Sequence, residues 1–63
     1  MFKYLVLFKH VRSVSIYSIE LIRAFTDKGA IKKARKLRNK EYKNYILEEV
    51  RRVGKGKIYS CTD

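Results

Sequence analysis

Two adjacent carboxylates (Glu48 and Glu49), a single histidine (His10) and a single cysteine (Cys61) are the residues of this chain with the clearest capacity for acid–base or nucleophilic work. Their spacing argues against it. Neighbouring residues point to opposite faces of a strand and diverge by about 100 degrees on a helix, so Glu48 and Glu49 cannot share a proton or flank a scissile bond. Pairing with Arg51 and Arg52, or a solvated rim, is the simpler expectation. Nothing in the separation of His10 and Cys61 brings them together with the third, orienting group that a Cys–His dyad requires. Two soft ligands also fall short of a closed zinc site. Ser13, Ser15, Ser18 and Ser60 lie in no nucleophile-elbow pattern. Gly54-Lys55-Gly56-Lys57 lacks the spacing and the hydroxyl of a P-loop, and it lacks the Gly-x-x-Gly of a single-strand RNA loop. It reads as a basic hairpin tip, with phosphate contact a secondary role. The expectation is a protein that is not an enzyme and carries no metal or cofactor.

Charge carries the stronger signal. The 63 residues include 16 Lys and Arg against 6 Asp and Glu, a formal net charge of +10. Eight of the basic side chains (Lys28, Lys32, Lys33, Arg35, Lys36, Arg38, Lys40 and Lys43) lie between residues 27 and 43, opposed there only by Asp27 and Glu41. Lys28–Lys32, Lys32–Lys36 and Lys36–Lys40 are like-charge pairs at i, i+4, each destabilising a helix by roughly 0.2–0.5 kcal/mol. A helix built for stability alone would interleave Glu at such positions. An uncompensated stripe is better explained by an anionic partner, DNA or RNA, met through its phosphates with little sequence discrimination. Lys32, Arg35, Lys36 and Lys43 are the expected main contacts, with Lys28, Lys33, Arg38 and Lys40 flanking. Arg35 and Asn39, one turn apart, have the chemistry to read guanine and adenine edges, but no helix-turn-helix or zinc-finger pattern supports insertion into a groove. The alternative is a small regulatory or interaction protein, an inhibitor or adaptor docking on an acidic surface of a larger protein. A membrane surface ranks third, because the apolar helix face lacks bulky aromatics.

Those cations need a helix to array them. Thr26 or Asp27 can cap it. Ala30, Ile31, Ala34 and Leu37 then form one apolar stripe at helical period, with Lys32, Arg35, Lys36 and Asn39 opposite, which predicts an amphipathic helix from Asp27 to about Asn39. A helix this short must dock through its apolar stripe. Phe2–Val11 reads as a strand, and so does Val14–Phe25, rich in β-branched and aromatic residues, although Glu20–Ala24 also suits a helix. The turn near Arg12-Ser13 has no tight-hairpin signal. Gly54-Lys55-Gly56 is a strong turn signal and favours a hairpin of Tyr45–Val53 with Lys57–Cys61. The result is an α+β chain, β-β-α-β-β, with a small antiparallel sheet and one basic helix on one face. The runner-up, β-β-α-α, makes residues 41–53 a second helix.

The length allows one small domain over residues 1–63. The lone cysteine excludes an internal disulfide framework. The longest apolar stretch, Tyr4–Phe8, is too short to span a bilayer, and Met1–Phe8 makes a poor signal peptide, so a cytoplasmic, intracellular protein is expected. One helix covers only one face of a sheet. Leu5, Leu7, Ile22 and Ala24 are the residues expected beneath it. Tyr4, Val6, Phe8, Ile19, Leu21 and Phe25 include residues with nothing to cover them. That second face is a candidate homodimer seam, or a stacking platform through Tyr4, Phe8, Tyr17 or Phe25.

Overall fold

The computed structural model describes residues 1–61. Along the chain run β1 (Phe2–His10), β2 (Tyr17–Ala24), α1 (Asp27–Glu41), β3 (Tyr45–Arg52) and β4 (Gly56–Ser60). The strands make one antiparallel sheet in the order β2-β1-β3-β4, with α1 across one face. This is the α+β, β-β-α-β-β arrangement read from the sequence. The runner-up is wrong: residues 45–52 pair with both β1 and β4 as a strand.

β2 starts at Tyr17, three residues later than the run from Val14 suggested. Lys9 pairs with Tyr17, and the His10 N–H donates to the Ile16 carbonyl at 3.0 Å, so residues 11–16 form the connection. Val14 and Ile16 are exposed there. Strand propensity reflects packing against neighbouring strands, and these residues have none to pack on. At the other hairpin, Gly54 and Gly56 have φ of +87° and +119°, conformations that favour glycine, as the Gly-x-Gly signal implied.

Between the two candidate caps, the structure selects Thr26. Its Oγ1 accepts from the Gly29 N–H at 3.0 Å. A Cβ on residue 29 would lie 3.1 Å from that oxygen, so the glycine that weakens the helix also leaves room for its cap. Thr26→Ala is expected to cost about 1 kcal/mol and to lower the melting temperature by roughly 4–8 °C, with Thr26→Ser restoring most of it. Thermal unfolding by circular dichroism checks this. The helix runs on to Glu41, two residues past the expected end, and Tyr42 closes it by donating its N–H to the Arg38 carbonyl at 3.1 Å.

The two sheet faces are divided differently from the sequence expectation. Tyr4, Val6 and Phe8 are fully buried under α1, together with Ala24, Ala30, Ala34, Leu47 and Val50. Leu5 and Leu7 point to the open side. Ile22 and Ala24 do face the helix, as expected, because Ile22 is paired with Tyr4 and Ala24 with Phe2. Directly opposed residues share a face, so that register carries Leu5 and Leu7 away. The division is consistent with volume: the helix buries the small Ala30 and Ala34, with Leu37 packed beside them, and the large rings of Tyr4 and Phe8 share that cluster. Tyr4 and Phe8 are therefore core residues and not a stacking or interface platform. Tyr17 and Phe25 are exposed.

One end of this core is closed by rings. Phe8 stacks on Tyr42 at 4.3 Å between centroids and 11° between planes. Tyr45 meets Tyr42 edge-on at 5.3 Å and His10 at 5.0 Å. The Tyr42 hydroxyl donates to Glu20 and accepts from Ser18. The Glu20 carboxylate, accepting that bond, holds the phenol above its ordinary pKa. Among the described residues no helix is long and apolar enough to cross a membrane.

Candidate nucleic-acid interface

The helix is about 22 Å long at 1.5 Å per residue, and its outer side is bounded by lysines. Lys28, Lys32, Lys36 and Lys40 descend one i, i+4 row and are exposed, and exposed Lys43 follows in the loop to β3. Among the described residues these five make no ion pair or hydrogen bond. The other three predicted residues are partly occupied. Lys33 Nζ donates to the Arg23 carbonyl on β2 at 2.6 Å. Arg35 lies over the Tyr59 ring at 5.7 Å. Arg38 donates to the Tyr45 carbonyl at 3.1 Å and to Asn39 Oδ1 at 2.8 Å. Arg38 is thus a clamp between the end of α1 and the start of β3. Asn39 is engaged with it, and Arg35 with an aromatic ring, so the pair with the chemistry to read bases is already partnered within the fold.

Ile22, Lys33, Lys36, Leu37, Lys40 and Glu41 line an open groove along the seam between α1 and β2. Its floor is apolar and its walls carry three of the predicted cations. Helical spacing does not reveal it, because Ile22 comes from a different element.

Apart from Glu41 in that groove, the carboxylates of the described residues are engaged elsewhere. Asp27 accepts from the buried Tyr4 hydroxyl at 2.7 Å and lies 3.2 Å from Lys55 and 3.7 Å from Arg52. Arg52 also sits 3.5 Å from the centre of the Phe2 ring. Glu49 pairs with Arg51 at 2.9 Å and Lys57 at 3.6 Å. Glu48 accepts from the Cys61 thiol at 3.2 Å. The register shift between Leu7 and Phe8 separates Glu48 from the regular ladder. Arg52 takes Asp27 and not the neighbouring glutamates expected for it. Both hairpin lysines, Lys55 and Lys57, are paired with the chain's own acids, although each acid is shared with an arginine, which makes them second choices for a phosphate.

Burial, then the hydrogen bond to Asp27, raises the Tyr4 phenol, so it stays a donor. The Tyr4 hydrogen bond, followed by Lys55, holds Asp27 below its ordinary value of 3.8. A carboxylate lowered in the folded state stabilises the fold above its unfolded pKa, and loses that contribution as pH falls through the folded one. Asp27→Asn should therefore melt below the wild type at pH 7, with the gap closing as pH falls below about 4. Melting curves of both proteins between pH 7 and pH 2 measure it. Glu48, as acceptor, pushes the Cys61 thiol up, away from a reactive thiolate. His10 Nδ1 accepts from the Arg12 N–H at 3.1 Å. The two residues weighed as a dyad thus have separate hydrogen-bond partners. Comparison with protein-family models, with curated proteins and with solved structures returned no match for this chain.

Proposed function

We propose that the protein is a non-enzymatic nucleic-acid-binding module that grips the phosphate backbone of DNA or RNA through the outer face of α1. One observation carries the reading. The five lysines of that row and its following loop are exposed and unpaired among the described residues, while Asp27 and Glu49 pair with cations of the hairpin and its strands. A convex row with about 6 Å between successive lysines suits a polymer with closely repeating charges better than a small anion, which needs a concave site. Contacts of this kind hold the backbone and leave sequence unread. The reading places the protein inside the cell, in the cytoplasm, where nucleic acid is found and a free thiol persists.

A salt titration tests it. With five phosphate contacts, log affinity should fall against log salt with a slope of about −4.5, a loss of roughly 500-fold between 50 and 200 mM. Fluorescence anisotropy with a labelled duplex and a labelled single strand of mixed sequence reads this directly. No binding to either at 50 mM salt, or a slope near zero, would overturn the proposal.

A further inference from the structure

The face of the sheet opposite α1 has its own chemistry, and it belongs to neither the helix interface nor the core. Leu5 lies opposite Leu21, and Leu7 opposite Ile19. Together they form an aliphatic strip, with Leu5 40%, Leu21 56% and Ile19 66% exposed. The strip is not flat: Leu5, Leu7, Ile19, Glu49 and Arg51 line a shallow depression. Cations surround it. Lys3 and Arg23 are paired across one end, and Lys9 stands at the other. Arg51 and Lys57 are paired along the β3–β4 side. The one β3 carboxylate opposite the strip, Glu49, is already held by Arg51 and Lys57.

We infer that this face is a second binding surface, and that its partner is an acidic amphipathic helix of another protein, with a row of aliphatic side chains in the depression and Asp or Glu on either side. A half-exposed sheet face with an apolar centre is the kind of surface that helices cover in α+β packing, as α1 does on the other side. Lys3 to Lys9 spans about 20 Å of strand, the length of roughly 13 helical residues. Charge selects among occupants. A second copy stacked face to face would set one basic rim against another, with Glu49 already neutralised in each. Successive bases need successive aromatic platforms, and among the described residues this face offers a single exposed ring, Tyr17 opposite Lys9 at one end of an otherwise aliphatic strip. A lipid surface is gripped by bulky side chains on a convex face, whereas Leu5, Leu7 and Ile19 line a depression. Only a partner of opposite charge with a ridge of apolar side chains satisfies both the rim and the depression. The inference is independent of nucleic-acid binding, which uses the opposite face.

The experiment pans a phage-displayed library of helical peptides, randomised in apolar and charged positions, against the full-length chain at physiological salt. The best peptide is then titrated into the ¹⁵N-labelled protein. Enriched sequences should show aliphatic residues at i, i+3 or i+4, and i+7 with flanking Asp or Glu. Amide shifts should centre on β1 and β2 at Leu5, Leu7, Ile19 and Leu21. Ile19→Asp should weaken the peptide by about tenfold or more, with Leu21→Asp as the second variant, while Lys32→Glu/Lys36→Glu leaves it unchanged. The wild-type footprint decides the matter even if an aspartate variant fails to fold. The inference is overturned by failure to enrich, by enriched peptides lacking acidic residues, or by shifts confined to α1. It is equally overturned if this face is occupied by a second copy in sedimentation equilibrium, by phosphatidylserine vesicles or by a single-stranded oligonucleotide.

Discussion

Lys32→Glu/Lys36→Glu is expected to weaken nucleic-acid binding by at least roughly a hundredfold at 50 mM salt and to flatten the salt slope by about 2. Each phosphate contact releases close to one counterion, and at that salt concentration each release is worth a little over one decade in affinity. Reversal adds repulsion to the loss of two contacts. The effect on the fold runs the other way. Lys28–Lys32, Lys32–Lys36 and Lys36–Lys40 repel one another in the wild type, and the double reversal turns two of those repulsions into attractions worth roughly 0.2–0.5 kcal/mol each. Neither side chain has a partner to lose among the described residues. A protein at least as stable that binds far less tightly would locate the interface on α1. Lys3→Glu/Lys9→Glu makes the same change in net charge on the other face of the sheet and should retain most of the affinity. If it loses as much as the helix variant, the attraction is one of overall charge and α1 is not the site.

Phe8→Ala should leave most of the protein unfolded at room temperature or lower its melting temperature by at least about 12 °C. The ring is fully buried and stacked on Tyr42 at 4.3 Å. Removing a buried Phe costs about 3–5 kcal/mol, against a total stability of about 3–9 kcal/mol for a chain of this length. Tyr42 would also lose the surface that holds it over Glu20 and Ser18, and the ring cluster closing that end of the core would open. Leu5→Ala is the contrasting variant. Leu5 is 40% exposed on the open face, and its truncation should cost about 1 kcal/mol or less. Thermal melts of the pair measure how unequally the two faces of β1 contribute. Equal losses would mean that the open face is covered in solution and that the division into core and free surface is wrong.

That contrast marks where the sequence stops being informative. In β1 both alternating sets are apolar: Tyr4, Val6 and Phe8 on one side, Leu5 and Leu7 on the other. Period 2 reveals a strand but cannot say which set is inside, since a one-residue slip exchanges them all. For this reason alternation alone puts Leu5 and Leu7 under the helix, where the structure has Tyr4, Val6 and Phe8. Val14 and Ile16 have strand propensity without strand neighbours, so propensity starts β2 too early. The groove between α1 and β2, the clamp from Arg38 to Tyr45 and the capture of Asn39 all join elements distant in the chain or depend on a side chain's local geometry.

By itself the sequence determined one amphipathic helix with its lysines turned outward and a glycine turn near the C-terminal end, while for residues 41–53 it favoured a strand over a second helix without deciding between them. Each rests on a local rule: apolar residues at helical period, like charges at i, i+4, and glycines where φ is positive. The tertiary structure decided which face of the sheet is core, which cations remain unpaired and which carboxylates neutralise the rest. These are outcomes of volume and of distance between remote side chains. The rings of Tyr4 and Phe8 pack in one buried cluster with the small Ala30 and Ala34, and the lysine row is unpaired because that packing carries Asp27 to the hairpin and sets Glu49 on the opposite face of the sheet.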